Sequence, residues 1–192
     1  MREFFYNCSN LIGELNLSKW NGSEVVDATY MFRGLRKVTK IDLTNFNPIA
    51  LTEATYMFDG CSSLTEIKFW NCNAINNVNA SKMFQNTQLL NLDASGWKVN
   101  LMDAQDMFRG CNKMENIDIS GIDFIYNTNC QYMFTNCTKL KTLKVGFNPE
   151  NIGNTNNMFS NISSGGTLYY PAKYDYSKII SLLPSDWETI SY

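Results

Sequence analysis

A methionine–phenylalanine pair that returns about every 26 residues constrains this chain more than any other feature. With the phenylalanine as position zero, the anchors are Phe5, Phe32, Phe58, Phe84, Phe108, Phe134 and Phe159, separated by 27, 26, 26, 24, 26 and 25 residues. Six of the seven follow a methionine; Phe5 follows Phe4. A fixed period of this length marks an array of small units rather than one irregular globule. One unit cannot bury its own apolar face, whereas stacked units share a continuous core.

The positions around each anchor repeat as well. Position +3 holds Cys8, Leu35, Cys61, Thr87, Cys111, Cys137 and Ile162, and position +6 holds Leu11, Val38, Leu64, Leu90, Met114, Leu140 and Gly165. Four residues before the later anchors stand Ala28, Ala54, Ala80, Ala104, Cys130 and Thr155. Apolar or small residues at −4, 0, +3 and +6 fit a helical stripe of one to two turns. The next apolar pair, such as Ile41/Leu43 or Ile117/Ile119, has a period of two and predicts a short strand. Mostly bulky residues near +14 (Trp20, Phe46, Cys72, Trp97, Ile122 and Phe147) sit among Asn, Gly, Pro and Ser, the composition of turns.

The expected fold is therefore α/β: a leucine-rich-repeat-like solenoid of about seven coils, each a short helical turn plus a short parallel strand. The coils fill residues 1–165. Residues 166–192 leave the pattern, with a strand stopped by Pro171, helical spacing at Tyr176, Ile179, Ile180 and Leu183, and a last strand near Trp187. They are read as a carboxy-terminal cap within one continuous structural domain. No comparable cap precedes the first repeat. That end is expected to be open or covered from outside the chain.

Composition narrows the chemistry. There is no histidine, so the commonest general base and metal ligand are missing, and an enzyme is not expected. Four of the six cysteines occupy position +3, which leucine, threonine and isoleucine fill in the other coils; a site that accepts leucine is a core site, and buried free thiols are expected rather than a metal or disulfide site. Along the predicted strands Lys40 would face Glu66 and Asp42 would face Lys68, which in turn would face Asp93, a ladder of opposite charges on a wet face. Asn-x-Ser/Thr at Asn7, Asn21, Asn136 and Asn161 fits turn duty. A net charge of −2 and scattered basic residues give no nucleic-acid footprint. No apolar run is long enough for membrane insertion. No cofactor is expected.

The residues that break the repeat are the candidates for binding. Position −2 mixes Tyr30, Tyr56 and Tyr132 with Lys82, Asp106 and Asn157, so it should face outward, and Tyr30 and Tyr56 should stack on each other's coils. Trp70 stands where other coils have Ser, Thr or Gly. Exposed tyrosine and tryptophan are favoured in interfaces, although packing beside the ladder explains them equally.

The run Met57-Phe58-Asp59-Gly60-Cys61-Ser62-Ser63-Leu64 followed by Ile67, and the run from Met107 through Cys111, Met114 and Ile117 to Ser120, resemble the BspA-type bacterial surface repeat, a 26-residue leucine-rich-repeat variant. The likeness covers roughly residues 1–165. The ending, Gly166-Thr167-Leu168-Tyr169-Tyr170-Pro171 through Trp187, is similar to the tail of such arrays in gut-bacterial and phage sequences. The resemblance implies surface display, adhesion and protein binding, with no catalytic residues. The start of the chain has no signal-peptide pattern and enters a repeat at once. Two functions stay open. One is a module recognising a protein or glycan surface at a cell exterior. The other is a structural phage virion component, in the tail or fibre region, that assembles with other virion proteins or with itself through its uncapped amino-terminal end.

Overall fold

The computed structural model describes residues 1–68 and 72–192. The chain winds as a parallel β-solenoid of about seven turns. One column of strands follows the Met-Phe segments: β1 (Ile12–Asn16), β2 (Lys37–Asp42) and β3 (Glu66–Lys68) form one sheet. A second column precedes them, with β4 (Asn77–Asn79) as its first described strand. In later coils the first column continues as β5 (Asn91–Asp93), β7 and β9, and the second as β6 (Val99–Asp103), β8 and β10. Here β7 is Asn116–Ile119, β8 Ile122–Asn129, β9 Thr142–Val145 and β10 Ile152–Asn154. The first column then adds β11 (Thr167–Tyr170) and β12 (Glu188–Ser191), in the order β12-β11-β9-β7-β5. Every pairing is parallel, with one coil per step; Lys40 meets Glu66, and Asn116 meets Thr142.

Each repeat spacing becomes a column of stacked side chains. The seven anchor phenylalanines form one column, with neighbouring ring centroids 5.1–5.6 Å apart. The rings from Phe32 to Phe134 are fully buried. Beside them lie Leu35, Cys61, Cys111 and Cys137 of position +3, and Val38, Leu64, Met114 and Leu140 of position +6. Cys8, Cys61, Cys111, Cys130 and Cys137 are free thiols; Cys8 is exposed, and the other four, like Cys72, are buried. Cys8, in the coil at the amino-terminal end of the described stack, departs from the expected burial. The cross-strand charges pair as expected in Lys40–Glu66 at 3.3 Å and Lys68–Asp42 at 3.4 Å. The expected continuation from Lys68 to Asp93 is not among the described ion pairs, and β3 and β5 lie in separate sheets.

The helical turn expected in each coil is not there. The described helices are a 3₁₀ turn (Pro149–Asn151) and the four-residue α1 (Ser177–Ile180). The Met-Phe segment is instead a run of three linked turns. In the second coil Met31 N–H donates to Ala28 C=O, Arg33 to Tyr30 and Leu35 to Phe32, each an i+3 to i bond. The alternate N–H groups point to the next coil: Ala28 to Glu53 C=O, Tyr30 to Thr55, Phe32 to Met57 and Gly34 to Asp59, at 2.7–3.1 Å. A run of this kind needs positive φ at two places. Position −2 has it in every coil, at Glu3, Tyr30, Tyr56, Lys82, Asp106, Tyr132 and Asn157; so has position +2, at Asn7, Gly34, Gly60, Asn86, Gly110, Asn136 and Asn161. Positive φ at the third residue of a four-residue turn is what type II geometry demands. Spacings of three and four residues thus have two physical solutions, and seven Gly or Asn residues at +2 select the turn run over the helix.

Candidate interaction face

The turn runs stack into a side face, and positions −2 and +1 of adjacent coils line it, with Asp59, Asp106 and Thr135 buried and Tyr30, Tyr56, Lys82 and Arg33 half-buried. At its amino-terminal end Tyr6, Tyr30 and Tyr56 form a stepped stack, with ring centroids 5.7 and 5.1 Å apart and planes tilted by 38°. The expected stacking of Tyr30 on Tyr56 is present, but both are half-buried, and more enclosed than a freely projecting side chain. Arg33 lies across the stack, its guanidinium carbon 5.0 Å from both the Tyr30 and Tyr56 ring centres and 5.9 Å from that of Tyr6. Its Nε donates to Asp59 Oδ2 at 2.8 Å. Burial pushes the Asp59 carboxyl up, and the Arg33 guanidinium offsets this only in part. Lys82 closes the row by donating to the Tyr56 hydroxyl at 2.8 Å. That hydrogen bond raises the Lys82 pKa, against a smaller opposing effect of burial.

Tyr132 stands apart from this group. Lys82 and Asp106 occupy the intervening coils at the same position, and Tyr132 instead packs under Arg109, 5.2 Å from its ring centre, while Arg109 pairs with the buried Asp106 at 3.1 Å. Trp70 lies outside the described residues. The four candidate residues therefore divide into a pair on one patch, a third on a smaller patch, and Trp70. Tyr6, Arg33, Lys82 and Arg109 complete the two patches and were not singled out from the sequence. The signal was available: position +1 reads Tyr6, Arg33, Asp59, Gln85, Arg109 and Thr135, polar or aromatic throughout.

Phenol edges, one guanidinium and one ammonium offer hydrogen-bond donors beside flat apolar rings. The nearest carboxylates, Asp59 and Asp106, are buried and already paired with arginines. Among the described residues no group of three His, Cys, Asp or Glu residues could hold a metal ion, and no helix is long and apolar enough to cross a membrane. The thiols are equally quiet. Burial pushes Cys61 up to about 12 and Cys111 up to about 11, which leaves them protonated at neutral pH.

Stacked parallel coils with a repeating, mostly apolar interior and a variable side face define a repeat solenoid. The chain belongs to the family described as Mycoplasma protein of unknown function, DUF285, which matches residues 1–81 and again residues 65–167. No curated protein and no solved structure matches it.

Proposed function

We propose that this chain is a non-enzymatic interaction module that recognises a protein or glycan surface through its side face, with Tyr6, Tyr30, Tyr56, Arg33 and Lys82 as the contact patch and Tyr132 with Arg109 as a second. One observation carries the reading: tyrosine stands at positive φ in three coils, where Asn157 of the same column shows a residue the backbone accepts more easily. A bulky side chain in that region costs about 1–2 kcal/mol. Hydrogen bonds between coils impose the same φ on Glu3, Lys82 and Asp106, so what marks the patch is tyrosine standing there, stacked with Arg33 across the Tyr30 and Tyr56 rings. The likeness to BspA-type surface repeats supports the same reading.

The second reading is a structural component of a larger particle, such as a phage tail or fibre, docked through the amino-terminal end. It draws on the exposed apolar side chains of the first coil, Phe4 and Leu11.

The test of the first reading is a double substitution, Tyr30→Asn with Tyr56→Asn, assayed on a glycan array and on intact bacterial and animal cells. Asparagine tolerates the backbone, so the loss of ring packing is partly offset, and stability should change by less than about 1 kcal/mol. Bound signal should fall with the melting temperature nearly unchanged. Wild-type signal retained by the double variant would contradict the assignment of this face, and a loss of several kcal/mol would show that the tyrosines are core.

A further inference from the structure

The fold sorts charge by side. Basic residues that stand scattered in the sequence gather on the turn column. From position −4 to position +5 the seven turn runs hold eight Lys or Arg and three acids, in a chain whose net charge is −2. Of the three acids, Asp59 and Asp106 are buried, and Glu3 pairs with Arg2 at 3.4 Å. The cations lie outside their partners. Arg33 and Arg109 keep 35% and 43% of their side chains exposed, against 9% and 3% for the carboxylates they pair with. Where the runs end, Arg36, Lys37, Lys113 and Lys139 are exposed. Where the runs begin, Asp27, Glu53 and Asp103 are half-buried, and their carboxylates accept from Thr29 N–H, the Thr55 hydroxyl and Gln105 N–H.

The cations of the two tyrosine patches also keep donors in reserve. Arg33 commits Nε to Asp59, and among the described residues its two Nη groups meet no acceptor. Lys82 gives one N–H to the Tyr56 hydroxyl, and Arg109 gives Nη1 to Asp106. The hydroxyls of Tyr6, Tyr30 and Tyr132 likewise have no hydrogen-bond partner among the described residues. The ring faces, by contrast, are taken. Tyr30 lies between Tyr6 and Tyr56 with Arg33 against it, and Arg109 covers Tyr132. Ring edges, hydroxyls and cations remain for a ligand.

These features select the ligand. Arg33, Lys82 and Arg109 belong to the second, fourth and fifth coils, a span of about 15 Å at the spacing of paired strands. A row of cations along the solenoid axis suits a linear polyanion. Single-stranded nucleic acid binds by stacking its bases on free aromatic faces, which are absent from this stack, and it sets its phosphates closer than whole coils. An acidic peptide gains affinity by adding a strand, but the alternate N–H groups of these runs are already bonded to the next coil. A linear polysaccharide carries acid groups separated by whole sugar units, with hydroxyls between them. We infer that the side face binds a linear acidic polysaccharide, its acid groups on Arg33, Lys82 and Arg109 and its hydroxyls on Tyr6, Tyr30 and Tyr132. This inference rests on the side face being the contact surface, and it names the class of ligand.

Isothermal titration of the full chain with heparin, polygalacturonate and neutral dextran is the test. Heparin offers sulfate as well as carboxylate and polygalacturonate carboxylate alone, so the tighter of the two assigns the acid group. At least one should bind at low ionic strength and lose about tenfold in affinity at physiological salt, as screening requires. Dextran should not bind. Lys82→Gln should weaken binding about threefold or more. Arg33→Gln combined with Asp59→Asn, which leaves no buried carboxylate without its partner, should do the same with the melting temperature nearly unchanged. Lys40→Gln, on the strand face, should change nothing. Failure of both acidic polymers to bind overturns the inference, and so does wild-type affinity in both side-face variants. Polyglutamate or single-stranded DNA binding as tightly as the better polysaccharide overturns it as well. Cell binding that Tyr30→Asn/Tyr56→Asn abolishes but neither acidic polymer competes keeps the side face and overturns the acidic polysaccharide. Cell binding retained in that variant overturns the side face itself.

Discussion

Phe108→Ala should lower the stability of the folded chain by about 3–5 kcal/mol, measured by urea denaturation. The ring is fully buried and stacked between Phe84 and Phe134, 5.5 Å from each. Its removal loses the transfer energy of the ring, two stacking contacts and the packing of a cavity that the surroundings cannot close. They cannot close it because the coils on either side are fixed by Phe84 N–H to Met107 C=O and Phe108 N–H to Met133 C=O, both at 2.9 Å. A coil of a solenoid touches only its neighbours, so a hole in the fifth coil also weakens the coupling between the two halves. A reduced denaturant slope would report that loss of coupling. Phe5→Ala is the internal comparison: its ring is half-buried at the end of the column, and the cost should be about 1 kcal/mol. Equal costs at Phe5 and Phe108 would contradict the stack.

Gly121→Ala should be nearly as damaging, by about 3 kcal/mol or more, and for a different reason. A Cβ at this position would fall well inside van der Waals contact with the carbonyl oxygens of Trp97, Ser95 and Ala94. Those are backbone atoms of the preceding coil, and they can give way only if two coils separate. Gly146 repeats the arrangement one coil on, against the Ser120 carbonyl. Gly60 separates spacing from conformation. Its φ is +68° and a Cβ there meets nothing within 4 Å, so Gly60→Ala should cost only the left-handed backbone penalty of about 1–2 kcal/mol. Thermal melts of the three alanine variants should therefore rank Gly121 and Gly146 well below Gly60, and the reverse order would show that the coils are not in close backbone contact.

The interior was legible in the sequence and the backbone that carries it was not. The columns of Phe58, Cys61, Leu64 and Ile67 and their counterparts follow from the period, because identical spacing in every unit forces identical side chains to meet. The Lys40–Glu66 pair follows from the same register. The helix was a misreading of an ambiguous spacing, and the correcting signal was Gly or Asn two residues after every anchor. Positive φ at Tyr30, Tyr56, Lys82 and Tyr132 had no such signal; hydrogen bonds between coils impose it on residues with no preference for it. The second strand of the later coils was missed as well. Segments such as Asn77–Asn79 have a single buried apolar residue, Val78, and too little pattern to announce a strand. They are ordered by the neighbouring coils, and the Asn79 side chain accepts from Ser81 N–H to begin the next turn. In the side face the stacking of Tyr30 on Tyr56 was foreseeable from their shared column, whereas the addition of Tyr6 and the bridging by Arg33 join two columns, and the polar or aromatic character of position +1 marks that column without giving the contact.

The claim beneath all of this is that the Met-Phe segments bond between coils. Through-hydrogen-bond scalar coupling in isotope-labelled protein tests it at one atom pair. The Phe58 amide nitrogen should couple to the carbonyl carbon of Met83, 25 residues further along, matching the 2.8 Å bond between them. Coupling of Phe58 instead to the carbonyl carbon of Ala54, four residues back, would restore the helix and contradict the account.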